Sequence, residues 1–162
     1  HHSATASELA NSALQQHNTL SFSLRPAQLD LLGVTAAVRS AVQKMAEPAG
    51  LQFRAVTRGE EPKDPEENAA VVVRLVQEAL NNIIRHAEAA QVVVRLRFLP
   101  HKRIGLLVLD DGVGFDKSEV LNGVQSEANF GLYGMIERTE LAGGRFNIRT
   151  RPGRGVAVRA VL

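Results

Sequence analysis

The stretch RIGLLVLDDGVGFD, residues 103–116, joins an apolar run to two adjacent carboxylates and a pair of spaced glycines. Within it Leu107 and Leu109 point one way and Ile104, Leu106 and Val108 the other, as the period-two alternation of a strand requires. Apolar side chains on both sides predict a central strand of a sheet. The acidic, glycine-bearing segment after the strand admits several readings. No series of oxygen ligands at alternate positions comes after Asp110 and Asp111, so a calcium loop does not fit. A dinucleotide fingerprint needs a third glycine where Lys117 stands, inside a parallel crossover unit. There remain an aspartate at a strand end, followed by glycines whose missing side chains let a ligand approach the backbone, and a plain turn.

On the N-terminal side, QVVVRLRFL (91–99) reads as the preceding strand, joined to 103–110 by a turn at Pro100 to Lys102. LQFRAVT (51–57) alternates and predicts another strand, and RFNIRT, the turn RPGRG and VAVRAVL predict a closing hairpin. Helical spacing runs through Val34, Val38, Ala41, Val42 and Met45, after an interruption at Pro26 and Gly33. The strongest helical signal spans 65–87, with a proline at its start, acids in the first turn and basic residues in the last. GLYGMIERTELAGG, from Gly131, reads as a third helix capped by Gly143. Residues 58–68 are a loop, and residues 116–130 show no period, which predicts a long loop, a lid without fixed order. The sum is an α+β fold, a two-layer sandwich with a mixed, mostly antiparallel sheet of about five strands and three helices on one face.

Composition narrows the functions. The 162 residues fit one domain with a short appendage. Trp is absent and aromatics are 4%, so the core is aliphatic and a stacking platform for single-stranded nucleic acid is not expected. The absence of Cys removes disulfides, thiolate metal sites and thiol catalysis. The 19 basic and 17 acidic residues are scattered along the chain, and no nucleic-acid partner is read from them. No apolar run is long enough to cross a bilayer. His1 and His2 read as the remnant of a purification tag, and residues 4–20 carry an apolar stripe too narrow for a self-sufficient helix.

Two further segments carry candidate chemistry. On the 65–87 helix, at 100° per residue, Arg74, Glu78, Asn82 and Arg85 share one sector with His86 at its flank, while Val76, Leu80, Ile83 and Ala87 lie opposite. An acid, an amide and cations on one face suit a hydrated divalent metal held together with phosphates, and equally suit a solvated amphipathic helix. FGLYGM, residues 130–135, places glycines at the expected start of a helix, where free backbone N–H groups favour phosphate; its alternative is a simple hinge.

The order of these segments is more telling than any one of them. EALNNIIRHA resembles the N box, DDGVGF the G1 box and FGLYGM the G2 box of the GHKL ATPase superfamily, and the tail GMIERTELAGGRFNIRTRPGRGVAVRAVL narrows the resemblance to sensor histidine kinases. LRPAQLDLLGVTAAVRSA resembles the segment that joins dimerisation and catalytic domains in the nitrate- and lipid-sensing subfamily. The resemblance implies the Bergerat fold over residues 25–162, with residues 1–24 as the tag remnant and the tail of a dimerisation helix. It implies ATP and Mg²⁺ as ligands, with Asn82 on the metal and Asn81, in a different sector, the weaker candidate. Glu78 matches the acid that activates water in related ATPases, and in the kinases its role is open between that and ordering a metal-bound water. Arg85 and His86 match positions near the phosphates, and Asp110 matches the acceptor of the adenine amino group. Gly112 and Gly114 would free the lid, and Gly131, Leu132 and Gly134 would close over the triphosphate.

The implied reaction is phosphoryl transfer to a histidine of a dimerisation domain, in a homodimeric parent that then signals to a response regulator. His17 is followed by Asn18 and lies close to LRP, so it does not match the family's acceptor. The implied location is a cytoplasmic domain of a parent either anchored in the inner membrane or free of it. Two rivals share the pocket: a GHKL serine kinase of the anti-sigma type and a non-catalytic nucleotide-binding interaction module.

Overall fold

The computed structural model describes residues 27–63, 67–122 and 126–162. The expectations for residues 4–20, His17 and the LRP motif lie outside these. In chain order the elements are α1 (Ala27–Ala46), β1 (Gln52–Arg58), α2 (Glu67–Asn82) continued by a π-helical turn (Ile83–Ala87), β2 (Gln91–Leu99), β3 (Arg103–Asp110), α3 (Lys117–Leu121), α4 (Glu127–Leu141), β4 (Arg145–Thr150) and β5 (Val156–Val161).

The strands form one sheet in the order β1-β2-β3-β5-β4. Only the β1–β2 pair is parallel, with Phe53 beside Val92 and Thr57 beside Leu96; β2–β3, β3–β5 and β4–β5 are antiparallel. The reading of 103–110 as the central strand holds, and so does the α+β sandwich. One face of the sheet, carrying Val92, Val94, Leu96, Ile104, Leu106, Val108, Ile148, Val158 and Ala160, is buried beneath the helices. Leu107 and Leu109 stand on the other face and stay partly exposed. Strand β3 is therefore central in pairing, while among the described residues the helices cover one of its faces.

Helix α2 is the spine of the helical layer. Ala69, Val72, Val73, Val76, Ala79 and Leu80 recur at helical spacing and are buried. The run Val71–Val73 favours a strand by local propensity, but burial of this stripe, at about 1.5–3 kcal/mol per large apolar side chain, outweighs it. Two helices start earlier than the periodicity suggests. The first is α1, which begins at Ala27 and kinks at Gly33 (φ 85°) instead of starting at Val34. Its second segment is capped from a distance: the Glu61 carboxylate accepts the backbone N–H groups of Val34 and Thr35.

The expected loop 116–130 contains helical structure at both ends, and the described residues form four helices where the periodicity predicts three. Asp116 caps α3 by accepting the Ser118 N–H at 2.9 Å. Ser126 caps α4 by accepting the Asn129 N–H at 3.3 Å. Helix α4 thus begins before FGLYGM, and Gly131 and Gly134 lie inside the helix instead of at its N-terminus.

Candidate functional site

Beneath the β3 end of the sheet, between α2 and α4, lies a cavity of about 650 Å³. This is within the range of small-molecule and cofactor sites. Its floor is apolar, formed by Val108, Ile148 and Val158 from the sheet and by Ile83, Leu132 and Met135 from the helices. Its polar lining comes from Asn82, His86 and Asp110 and from Glu119, Asn122, Ser126 and Asn129 of α3, α4 and the residues between them.

Asp110 reaches the cavity through strand alternation. It continues the series Ile104, Leu106, Val108, and its β2 partner is the buried Val92, so its carboxylate faces the helical layer. Burial pushes its pKa up, the Gly112 and Val156 backbone N–H groups pull it down, and the neighbouring Asp111 charge adds to the rise. The Gly112 N–H donates to Asp110 Oδ1 at 2.8 Å, which helps to fix the carboxylate.

Gly112 is buried, and a Cβ there would run into the Ala87 carbonyl at the end of the π turn. Just beyond it the Val113 N–H donates to the Ala87 carbonyl at 2.7 Å, and the Gly153 N–H to the Val113 carbonyl at 2.6 Å. Gly114 lines the cavity, and the Phe115 N–H donates to Thr150 Oγ1 at 3.0 Å. The two glycines thus permit close packing of a tied loop, where the sequence suggests freedom for the lid.

Asp111, which nothing in the local sequence pattern singles out, has a structural task. Its Oδ1 accepts the backbone N–H groups of Ala90 and Gln91, both at 2.9 Å, and so pins the start of β2 to the end of β3. Asp111→Ala is expected to lower stability by about 1–2 kcal/mol. Nucleotide affinity of the folded protein should stay within about threefold, as calorimetry on the folded variant would read it.

On α2, Glu78 and Asn82 are half-buried and face α4. The position a Cβ would take on Gly131 lies 2.6 Å from Glu78 Oε1 and 3.0 Å from Asn82 Oδ1. The Glu78 carboxylate and the Asn82 side-chain amide, whose nitrogen lies 3.2 Å away, therefore converge on one point against α4, where glycine leaves them room. Arg74, one helical turn earlier, donates to Gln77 Oε1 at 2.8 Å.

Arg85 and His86 are placed differently from the 100° projection. The π turn inserts extra residues per revolution and rotates the residues after Asn82. Both are exposed, but His86 lines the cavity whereas Arg85 stands outside its lining. Leu132 is buried in the wall; Gly134, one turn behind Gly131, is not part of it and lies beside Arg138. The structure thus gathers Asn82, His86, Asp110, Gly114 and Leu132 around one cavity, sets Glu78 and Gly131 at its Asn82 end, and leaves Arg85, Gly112 and Gly134 outside its lining. Asn129, buried and in the lining, is an addition to the expected set. The one sequence signal for it is the Ser126 cap three residues before it, which places it in the first turn of α4.

Residues 67–162 match the model of the family described as histidine kinase-, DNA gyrase B-, and HSP90-like ATPase. Among curated proteins, the chain is 32% identical over 155 residues to a sensor-like histidine kinase of Chloroflexus aurantiacus, covering 94% of this chain and 26% of that protein. It is 33% identical over 153 residues to the histidine-protein kinase/phosphatase DegS of Brevibacillus brevis, covering 93% and 38%. It is 37% identical over 139 residues to the oxygen sensor histidine kinase NreB of Staphylococcus carnosus, covering 86% and 39%. The chain thus spans between about a quarter and two fifths of these relatives. Among solved structures, the histidine kinase domain of the blue-light activated kinase EL346 of Erythrobacter litoralis superposes with a TM-score of 0.60 at 21% identity, over 80% of this chain and 60% of that one. The mycobacterial sensor histidine kinase MprB gives 0.59 at 16% identity, over 79% and 93%. These two likenesses concern the fold. With the boxes in order, the cavity between α2 and α4 and a family match over residues 67–162, the chain belongs to the histidine kinase-, DNA gyrase B- and HSP90-like ATPases, as a catalytic domain of the sensor histidine kinase type.

Proposed function

We propose that this domain binds MgATP in the cavity between α2 and α4 and presents its γ-phosphoryl group to a histidine nitrogen on a dimerisation domain. The parent protein would be homodimeric and would pass the phosphoryl group on to a response regulator. The single observation that carries the reading is one largely apolar cavity of nucleotide size whose lining includes both the inward-facing Asp110 and Asn82, with the Glu78 carboxylate converging on Asn82 beside Gly131. That layout matches the polarity of a nucleotide: an apolar base with a hydrogen-bonding edge, then a charged tail.

In this reading Asp110 accepts the exocyclic amino group of adenine, with its carboxylate held ready by the Gly112 N–H. Val108, Met135, Ile148 and Val158 enclose the base and exclude water, which strengthens that hydrogen bond. His86 lines the route towards the phosphates. The Asn82 side-chain oxygen and the Glu78 carboxylate, which converge beside Gly131, would hold a Mg²⁺ that takes most of its ligands from phosphate and water. When bound, such an ion neutralises charge on the transferring phosphoryl group. Glu78 orders water there. Gly131 and Leu132 bring α4 against the phosphates, and catalysis consists mainly of positioning.

The test is transfer from γ-labelled ATP to a separately supplied dimerisation domain of a related kinase. The expected product is an acid-labile, base-stable phosphohistidine that requires Mg²⁺. An acid-stable phosphoserine on a serine-bearing partner would replace this reading by the serine kinase one.

A further inference from the structure

The face of the sheet turned away from the helices has an unusual composition. Its side chains, by register, come in rows across the strands β1, β2, β3, β5 and β4. One row is Arg54, Val93, Leu109, Ala157 and Arg149; the next is Val56, Arg95, Leu107, Arg159 and Asn147; the third is Arg58, Arg97, Gly105, Val161 and Arg145. Arg103 stands beyond them on β3. All eight arginines are exposed, and the strand positions on this face include no acid, lysine or aromatic residue. Arginines stand on both sides of Leu107, one stands beside Gly105, and in the Leu109 row they lie on the two edge strands. Like charges also sit side by side, as Arg58 and Arg97 do, an arrangement that costs stability. Eight of the 19 basic residues are thus on one face, which leaves eleven against 17 acids for the rest of the chain.

We propose that this open sheet face docks on an anionic lipid membrane. Three features favour that occupant. The charge is of one sign over a face about 20 Å wide, whereas protein interfaces deplete charge at their centre and lean on aromatic anchors, which this face lacks. A broad sheet without aromatic side chains offers neither stacking for single-stranded nucleic acid nor an element that enters a duplex groove. Arginines bordering an apolar spine of Leu107 and Leu109 form the interfacial pattern, in which apolar groups touch the acyl boundary while guanidiniums bind phosphate. The nucleotide cavity opens on the helical side of the sheet, so docking leaves it accessible.

The test is co-sedimentation of the chain with vesicles of phosphatidylcholine alone or with about 30% phosphatidylglycerol, at about 50 mM and about 500 mM salt. Binding is expected only to the anionic vesicles and only at low salt. The triple variant Arg95→Gln, Arg97→Gln, Arg159→Gln should bind about 100-fold more weakly. A variant of equal charge change on exposed sites elsewhere, Arg39→Gln, Lys44→Gln, Lys63→Gln, should bind as the parent chain does. Circular dichroism confirms that both are folded. Equal binding to neutral vesicles, equal weakening by the two triples, or tighter binding to duplex DNA or to polyglutamate at matched charge would overturn the proposal, the last two assigning the face to nucleic acid or to an acidic protein.

Discussion

Asp110→Asn is expected to weaken ATP binding by about 100-fold while leaving the empty protein as stable as before, or more so. The loss has two sources. A charge-assisted hydrogen bond in a water-poor site contributes about 1.5–3 kcal/mol, and an asparagine amide turned towards the adenine amino group sets donor against donor. The stability effect has the opposite sign because the Asp110 carboxyl carries a raised pKa, owing first to burial. Between the ordinary carboxylate pKa near 4 and the raised value, the native state holds a proton that the unfolded chain has released. Stability attributable to this group therefore falls as pH rises through that window, and above it the buried charge is a standing cost. Asparagine still accepts the Gly112 N–H and carries no charge. The melting temperature of the variant relative to the parent chain should accordingly rise as pH goes from about 4 to about 7. Calorimetric titration with ATP and melts across that range check both halves. A variant that loses stability in parallel with affinity would make Asp110 a structural residue.

Asn82→Ala is expected to slow Mg²⁺-dependent phosphoryl transfer by about 10²- to 10³-fold, the scale of a misplaced metal in the transition state. Binding of ATP in the presence of a chelator should change little, because the base end of the cavity is untouched. Asn81→Ala is the matched control and should leave the rate within about twofold, since it lies outside the cavity lining. The split between metal-dependent and metal-free binding separates a metal ligand from a residue that merely packs against Gly131. If Asn82→Ala weakens both equally, the metal is held elsewhere.

The parts of this molecule that local periodicity governs are legible in the sequence. Period-two alternation through Ile104, Leu106 and Val108 already aims Asp110 at the helical layer, and the apolar stripe of α2 already turns Glu78 and Asn82 away from the core. The features that escape are decided by geometry or by distant partners. The π turn at Ile83–Ala87 breaks the 100° projection, so Arg85 leaves the sector it shares with Asn82 on paper, and no residue type in IIRHA marks the change. Asp111 looks idle because its partners, Ala90 and Gln91, are some twenty residues away. The early start of helix α4 does have a local mark: Ser126 followed by Glu127 is an N-cap signal, overshadowed by the glycines of FGLYGM. The arginines are the clearest case of sequence scatter concealing spatial order. Alternation on all five strands sends them to one face, and only the strand order shows that they meet there.

The decisive measurement is calorimetric titration of the chain with ATP and with GTP, each with and without Mg²⁺. A nucleotide site built around Asp110 and Asn82 predicts one binding event per chain and tighter ATP binding with Mg²⁺ than without. It also predicts a preference for ATP over GTP of at least about tenfold, because Asp110 accepts from the adenine amino group and repels the guanine carbonyl. Absence of ATP binding, or equal affinity for the two nucleotides, would contradict it.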